Sequence, residues 1–115
     1  MSNIQDQPKA GIHMLTGLTV KAVSTDQDGI HLTFSDGTRL MIYNYATLNG
    51  RSLETTNETE RLLGLAVLSC DQSETTITLM FRDGPLLRVD LTDQAYRGPE
   101  ALQIMTRDGR IIVWN

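Results

Sequence analysis

The acidic stretch Ser24-x-Asp26-x-Asp28-Gly29 has the residue types and the alternate spacing with which a calcium-binding loop begins. A calcium loop of this kind lies between two helices and also needs a bidentate Glu at its twelfth position. The twelfth position here is Ser35, and the flanking residues alternate between apolar and polar as strands do. We therefore interpret the stretch as a turn between two strands.

Histidine and cysteine are too few to build a metal site of the usual kind. The chain has two histidines, His13 and His31, and one cysteine, Cys70. A zinc site takes three or four such ligands. We place His31 on the polar face of a strand and His13 in the segment that leads into the fold. We expect no metal ion and no cofactor.

A nucleophilic role for Cys70 would require a base and an orienting group close to it. Val23 lies 47 residues before Cys70, at the equivalent position of an internal repeat. A small apolar side chain therefore fits there, and we interpret Cys70 as packed. Glycine-rich phosphate loops, nucleophile elbows and His-Glu-x-x-His patterns do not occur in the sequence. Carboxylates are plentiful, but no pair stands out for acid–base work. We expect a protein that is not an enzyme, with no catalytic residues.

The composition indicates one globular domain that spans residues 1–115. Of the 115 residues 40% are hydrophobic and 21% are charged, which is close to the globular average. The formal net charge is −4 and no basic stripe is visible, so nucleic-acid binding is not expected. The N-terminal residues do not resemble a secretory signal, and no apolar run approaches the roughly 20 residues of a membrane-spanning helix. These features predict a cytoplasmic protein without membrane contact.

Two parts of the sequence match each other at a constant offset of 47 residues. Gly17-Leu18-Thr19-Val20 aligns with Gly64-Leu65-Ala66-Val67, and residues 30–37 align with residues 77–84. The shared positions are alternate apolar residues and turn residues, as two copies of one fold require. We infer an internal duplication with units at about 15–45 and 62–92.

Each unit is predicted to hold three strands with one buried face, at about 18–24, 29–35 and 38–44 in unit one. Asp36-Gly37 indicates a two-residue hairpin turn, and Asp83-Gly84 repeats it. Pro85 follows the second pair and removes an amide donor, which favours an edge position or a wider turn there. A C-terminal hairpin at about 101–114 brings the total to about eight antiparallel strands, which form a small barrel or a sandwich. We interpret the segment 45–62 as a mobile linker loop, in which Asn57 and Glu60 could cap a single helical turn. Residues 94–100 form a second connector.

The predicted outer face is less polar than a solvated sheet face usually is. With Leu40 and Ile42 turned inward, Met41, Tyr43 and Tyr45 face outward along the third strand. In unit two the outward set includes Ala66, Leu68, Met80 and Leu86. Large exposed apolar patches on a monomer are uncommon, and Tyr, Trp and Met are enriched at interfaces. We therefore predict an interface of Met41, Tyr43, Tyr45, Met80 and Trp114, unless both faces are covered within the chain.

Three functions remain open from the sequence. The first is a small non-catalytic interaction module that forms a homodimer or docks on a protein partner. The second is a small-ligand binder, with the ligand in a barrel mouth or between the units. The third is an acidic inhibitor or immunity-type protein. The rhythm Gly-x-x-Val, Leu-x-Phe-x-Asp-Gly, Leu-x-Ile resembles that of many short bacterial proteins, and the resemblance implies no activity.

Overall fold

The computed structural model of the chain describes residues 11–52 and 58–115. These residues form an all-β sandwich of two five-stranded antiparallel sheets, which confirms the predicted fold class and decides against a closed barrel. Ten strands are present in this part of the chain: β1 Val20–Asp26, β2 Gly29–Phe34, β3 Arg39–Ile42, β4 Ala46–Leu48, β5 Arg51–Ser52, β6 Val67–Gln72, β7 Thr76–Phe81, β8 Leu86–Asp90, β9 Leu102–Met105 and β10 Ile111–Trp114.

Each sheet combines three strands of one unit with a hairpin contributed by the chain that follows the other unit. Sheet one has the order β1-β2-β3-β9-β10, and sheet two has the order β5-β4-β8-β7-β6. The hairpin β4–β5 follows unit one in sequence but pairs with β8 of unit two. The hairpin β9–β10 follows unit two but pairs with β3 of unit one. The two units therefore exchange their last hairpins, and neither sheet is complete without both.

The pairing register repeats at the sequence offset of 47. In unit one Val20 pairs with Phe34 and Val23 pairs with Leu32, with a β-bulge between the two pairs. In unit two Val67 pairs with Phe81 and the register shifts in the same place, before Cys70 pairs with Leu79. A bulge inserts one residue and bends the strand, so its recurrence at equivalent positions shows that the units share their irregularities as well as their strands.

The segment predicted as a mobile linker contains a β-hairpin, so that prediction is wrong for residues 46–52, and residues 53–57 lie outside the described residues. Asn49 (φ 53°) and Gly50 (φ 84°) form the two-residue turn between β4 and β5. Two successive positive φ values are the mark of a type I′ hairpin turn, for which Asn-Gly is the favoured pair. Glu58–Leu62 forms a short 3-10 helix, which agrees with the single helical turn expected in this segment. The Asn-Gly pair was the available sequence signal for this extra hairpin.

The turn at Asp36-Gly37 is wider than predicted, and the turn at Asp83-Gly84 is the wider turn that Pro85 favoured. The Phe34 N–H donates to the Thr38 carbonyl, which leaves a three-residue loop, and the Phe81 N–H donates to the Pro85 carbonyl in the same way. Gly37 has φ 98°, as expected for the left-handed position that ends a three-residue loop. The predicted turn between β1 and β2 is present, with Asp26 paired to Gly29.

The core lies between the sheets and is built from the inward positions of both units. Phe34 and Phe81 are fully buried and occupy equivalent positions. Two short 3-10 helices, His13–Leu15 and Glu58–Leu62, lead into the units and bury Leu15 and Leu62. Within the described residues, no helix is long and apolar enough to cross a membrane.

Candidate functional site

The five residues predicted as one interface lie in four different places. Met41 is half-buried on the outer face of sheet one, and Met80 is 44% exposed on the outer face of sheet two. Tyr43 and Tyr45 lie between β3 and β4, beside the connector 91–101. Trp114 is only 3% exposed, so its placement on the outer surface is corrected. Its indole Nε1–H donates to Gln72 Oε1 at 3.1 Å, which satisfies the buried donor.

Apolar side chains cluster on the outer face of sheet two. Met80 of β7 pairs directly with Leu86 of β8, and on its other side it pairs with Ser69 of β6. Leu68 is the extra residue of the β6 bulge beside Ser69, and it is 48% exposed. Cross-strand neighbours lie close enough to act as one surface. We call Leu68, Met80 and Leu86 the sheet-two patch.

The equivalent positions of unit one are polar. Subtracting 47 from the sheet-two patch gives Lys21, Thr33 and Arg39, which occupy the same bulge and the same cross-strand pair in sheet one. The fold therefore accepts Lys, Thr and Arg at these positions. Since the backbone geometry is shared, the apolar residues of the sheet-two patch are not required by the strands that carry them.

An open groove lies where the connector 91–101 passes the end of sheet one. Its volume is about 340 Å³, and its lining includes Asp28, Tyr43, Arg97, Pro99 and Glu100. The connector is held there by Ala101, whose carbonyl accepts the Tyr43 and Asn44 N–H groups at 2.9 and 3.0 Å. We call this the Tyr43 groove.

A smaller cavity of about 70 Å³ lies next to the Tyr43 groove and shares Arg97 with it. Thr25, Asp26 and Asn44 also line it. Asn44 is 4% exposed, and its Nδ2 donates to the Asp90 carbonyl at 2.8 Å. Among the described residues its Oδ1 is buried and has no hydrogen-bond donor. Buried polar atoms are nearly always paired, so this oxygen marks a place where a donor is missing.

The Tyr43 groove has a negative electrostatic character. Burial raises the pKa of the Tyr43 phenol, and the nearby carboxylates of Glu100, Asp28 and Asp26 raise it further. The backbone N–H of Asp28 donates to Asp26 Oδ1 at 2.8 Å and, as the largest effect, lowers the pKa of Asp26. Asp26 is therefore ionised at neutral pH and adds to the negative field.

The residues tested for metal and nucleophile chemistry lie apart from one another. Cys70 is 7% exposed and accepts a hydrogen bond from Thr16 Oγ1 at 3.5 Å, and burial raises the pKa of its thiol. His31 lies on the outer face of sheet one, with Nε2 3.4 Å from Asp26 Oδ2. His13 is exposed in the first 3-10 helix. In the part of the chain that the structure describes, no three His, Cys, Asp or Glu side chains cluster as metal ligands would.

The Tyr43 groove was not predicted from the sequence, because its residues come from distant segments. A signal was nevertheless present in the spacing of the repeat. Ile42 pairs with Leu102, whereas its equivalent Val89 pairs with Ala46. Three residues separate Ile42 from Ala46 after unit one, whereas twelve separate Val89 from Leu102 after unit two. The longer connection after unit two forms the wall of the groove.

Comparisons of the chain with protein-family models, with curated proteins and with solved structures found no match.

Proposed function

We propose that the protein is a non-catalytic protein-binding module that docks on a protein partner through the sheet-two patch. The observation that carries this proposal is the contrast between Leu68, Met80 and Leu86 and their equivalents Lys21, Thr33 and Arg39. The two units share one fold, but these three outer positions are polar in unit one and apolar in unit two. A difference that folding does not require is best explained by binding.

The size of the patch favours a transient partner over a stable homodimer. Leu68 and Met80 are each about half exposed, at 48% and 44%, and Leu86 is less exposed. A stable interface buries on the order of 800 Å² on each side, which is more than three such side chains supply. A few well-packed residues near the centre of an interface nevertheless carry most of its binding energy, so a small patch is sufficient as the centre of a transient interface. We propose a partner that presents an apolar side chain to Met80 and makes polar contacts around it.

A non-catalytic role agrees with the placement of the reactive groups. Cys70 is covered by the fold, and the raised pKa of its thiol disfavours the reactive thiolate at neutral pH. We also propose the cytoplasm as the compartment, because a single reduced thiol needs no oxidising environment.

The test exchanges residues between the two copies. The variant Leu68→Lys/Met80→Thr/Leu86→Arg gives sheet two the residues of sheet one, so it should fold normally. The control variant Ser24→Lys/Gln103→Arg adds the same two cations to the outer face of sheet one. Wild-type and control proteins should recover the same partner in affinity purification, and the exchange variant should lose it. Equal recovery by all three proteins contradicts the proposal.

A further inference from the structure

The Tyr43 groove and its adjoining cavity are separate from the sheet-two patch and are not needed for docking on a protein partner. The patch lies on β6, β7 and β8, whereas the groove is lined by the β1–β2 turn, the chain after β3 and the connector 91–101. The geometry points to a binding site for a primary ammonium group, carried by a lysine side chain or by a free polyamine, with the ammonium at Asn44 and its alkyl chain along Tyr43.

Asn44 supplies the first part of the argument. Its Nδ2 donates to the Asp90 carbonyl, and this bond fixes the orientation of the amide, since a flipped amide would place two acceptors together. Its Oδ1 then faces no donor among the described residues, although the side chain is 4% exposed. A buried acceptor without a hydrogen bond destabilises the fold, because it has lost its water and gained no donor. A ligand that donates a hydrogen bond here would remove that destabilisation.

The charge of the site supplies the second part. Three carboxylates, those of Asp26, Asp28 and Glu100, line the groove and the adjoining cavity, and Arg97 lines both. The lining is therefore negative overall, and a cation is favoured over an anion. The field is already felt by Tyr43, whose pKa these carboxylates raise.

Size and shape supply the third part. The cavity at Asn44 has a volume of about 70 Å³, which accommodates a compact ammonium group but leaves little room for a ring. An ammonium is a compact point charge with three donors, whereas a guanidinium is a wide planar fork. The larger groove offers the Tyr43 ring and Pro99 as an apolar wall. The alkyl chain that carries the ammonium would pack against this wall and remove apolar surface from water.

The test measures binding by the intact protein with three probes. n-Butylammonium represents the ammonium group with its alkyl chain. Spermidine represents a free polyamine, and Nα-acetyl-lysine methylamide represents a lysine side chain of a protein. The proposal predicts saturable shifts of the Asn44 side-chain amide signals in ¹H–¹⁵N NMR spectra with n-butylammonium. Tighter binding of spermidine would identify the ligand as a free polyamine, and tighter binding of Nα-acetyl-lysine methylamide would identify it as a lysine side chain. If the Asn44 oxygen binds only an ordered water, the Asn44 side-chain signals will show no saturable shift, and that result overturns the proposal.

Charge variants separate a specific site from general attraction to an acidic protein. Asp28→Asn/Glu100→Gln removes two groove carboxylates and leaves the buried core untouched, because Asp28 is exposed and Glu100 is half-buried. Asp71→Asn/Glu74→Gln removes two exposed carboxylates near the β6–β7 turn and serves as the matched control. The groove variant should weaken n-butylammonium binding about tenfold or more, as the loss of charge-assisted contacts implies. Equal weakening by the control variant overturns the proposal.

Discussion

Thr19 and Ala66 face each other across an antiparallel bridge, and they are the same position of the two units, 47 residues apart. The hydrogen bonds around them come in equivalent pairs. The Gly17 N–H donates to the Val67 carbonyl at 2.8 Å, and the Gly64 N–H donates to the Val20 carbonyl at 2.9 Å. An approximate two-fold axis therefore passes between Thr19 and Ala66, and it relates the outer faces that differ so clearly in polarity.

Trp114 should matter to stability and Tyr45 should not. Trp114 is 3% exposed and Tyr45 is 39% exposed. We expect Trp114→Ala to lower the free energy of unfolding by about 3–5 kcal/mol, because it removes a large buried ring and leaves Gln72 without its donor. Tyr45→Ala should cost about 1 kcal/mol or less. Urea denaturation measures both values, and similar losses in the two variants would contradict the burial described for Trp114.

Gly29 is a position where a side chain cannot be accommodated. It has φ 147°, and a Cβ there would lie 1.9 Å from the Ile42 carbonyl oxygen. We expect Gly29→Ala to destabilise the protein by at least about 2 kcal/mol. Gly98→Ala is the control, since a Cβ at Gly98 meets no atom within 4 Å. Thermal unfolding of the two variants gives the comparison, and an unchanged melting temperature for Gly29→Ala would contradict the pairing of β2 with β3.

Asp36 should contribute to the loss of stability in acid. The Thr38 N–H donates to Asp36 Oδ1 at 2.8 Å, and this bond, more than any other effect, lowers the pKa of Asp36 below its ordinary value of 3.8. A carboxyl whose pKa is lower in the folded state stabilises the fold above the unfolded pKa, and this stabilisation is lost as the pH falls through the folded pKa. The effect is confined to pH values near and below 4.

The variant Asp36→Asn keeps the acceptor for the Thr38 N–H but removes the titrating group. We expect wild-type protein to lose more stability between pH 5 and pH 3 than Asp36→Asn does, as measured by thermal unfolding at each pH. Parallel losses would show that Asp36 titrates with an ordinary pKa.

Cys70 can be exchanged for the residue of the other unit. Val23 stands at the equivalent position, and both residues are paired with a leucine of the next strand. We expect Cys70→Val to change the free energy of unfolding by less than about 1.5 kcal/mol. In the wild-type protein the thiol should react slowly with an aromatic disulfide reagent until urea unfolds the chain, because it is 7% exposed. Fast reaction of the folded protein would place Cys70 at the surface.

Much of the fold could be predicted because its determinants are local. Alternation placed β1, β2 and β3 and their repeats within a few residues, and the constant offset of 47 fixed the equivalence of the units. The hairpin at 46–52 was missed because β4 has three residues and β5 has two, which is too short for alternation to be visible. Asn49-Gly50 alone carried the signal.

The candidate surfaces were less predictable because they depend on which strands become neighbours. The outward direction of the Met80 side chain was predicted, because it follows from the alternation of apolar and polar residues along β7. Trp114 was assigned to the surface because the position of β10 over the core depends on its pairing with β9 and then β3. The exchange of hairpins between the units is a long-range feature, and so is the groove that the connector forms beside Tyr43.

Site-specific photo-crosslinking in the living cell tests the proposed docking surface most directly. A photoreactive phenylalanine analogue would be placed at Met80 in one protein and at Thr33, its equivalent in sheet one, in another. Docking through the sheet-two patch predicts a discrete cross-linked protein from position 80 and none from position 33. A cross-link between two copies of the chain would instead identify a homodimer. The same products from both positions, or none from position 80, would contradict docking through the sheet-two patch.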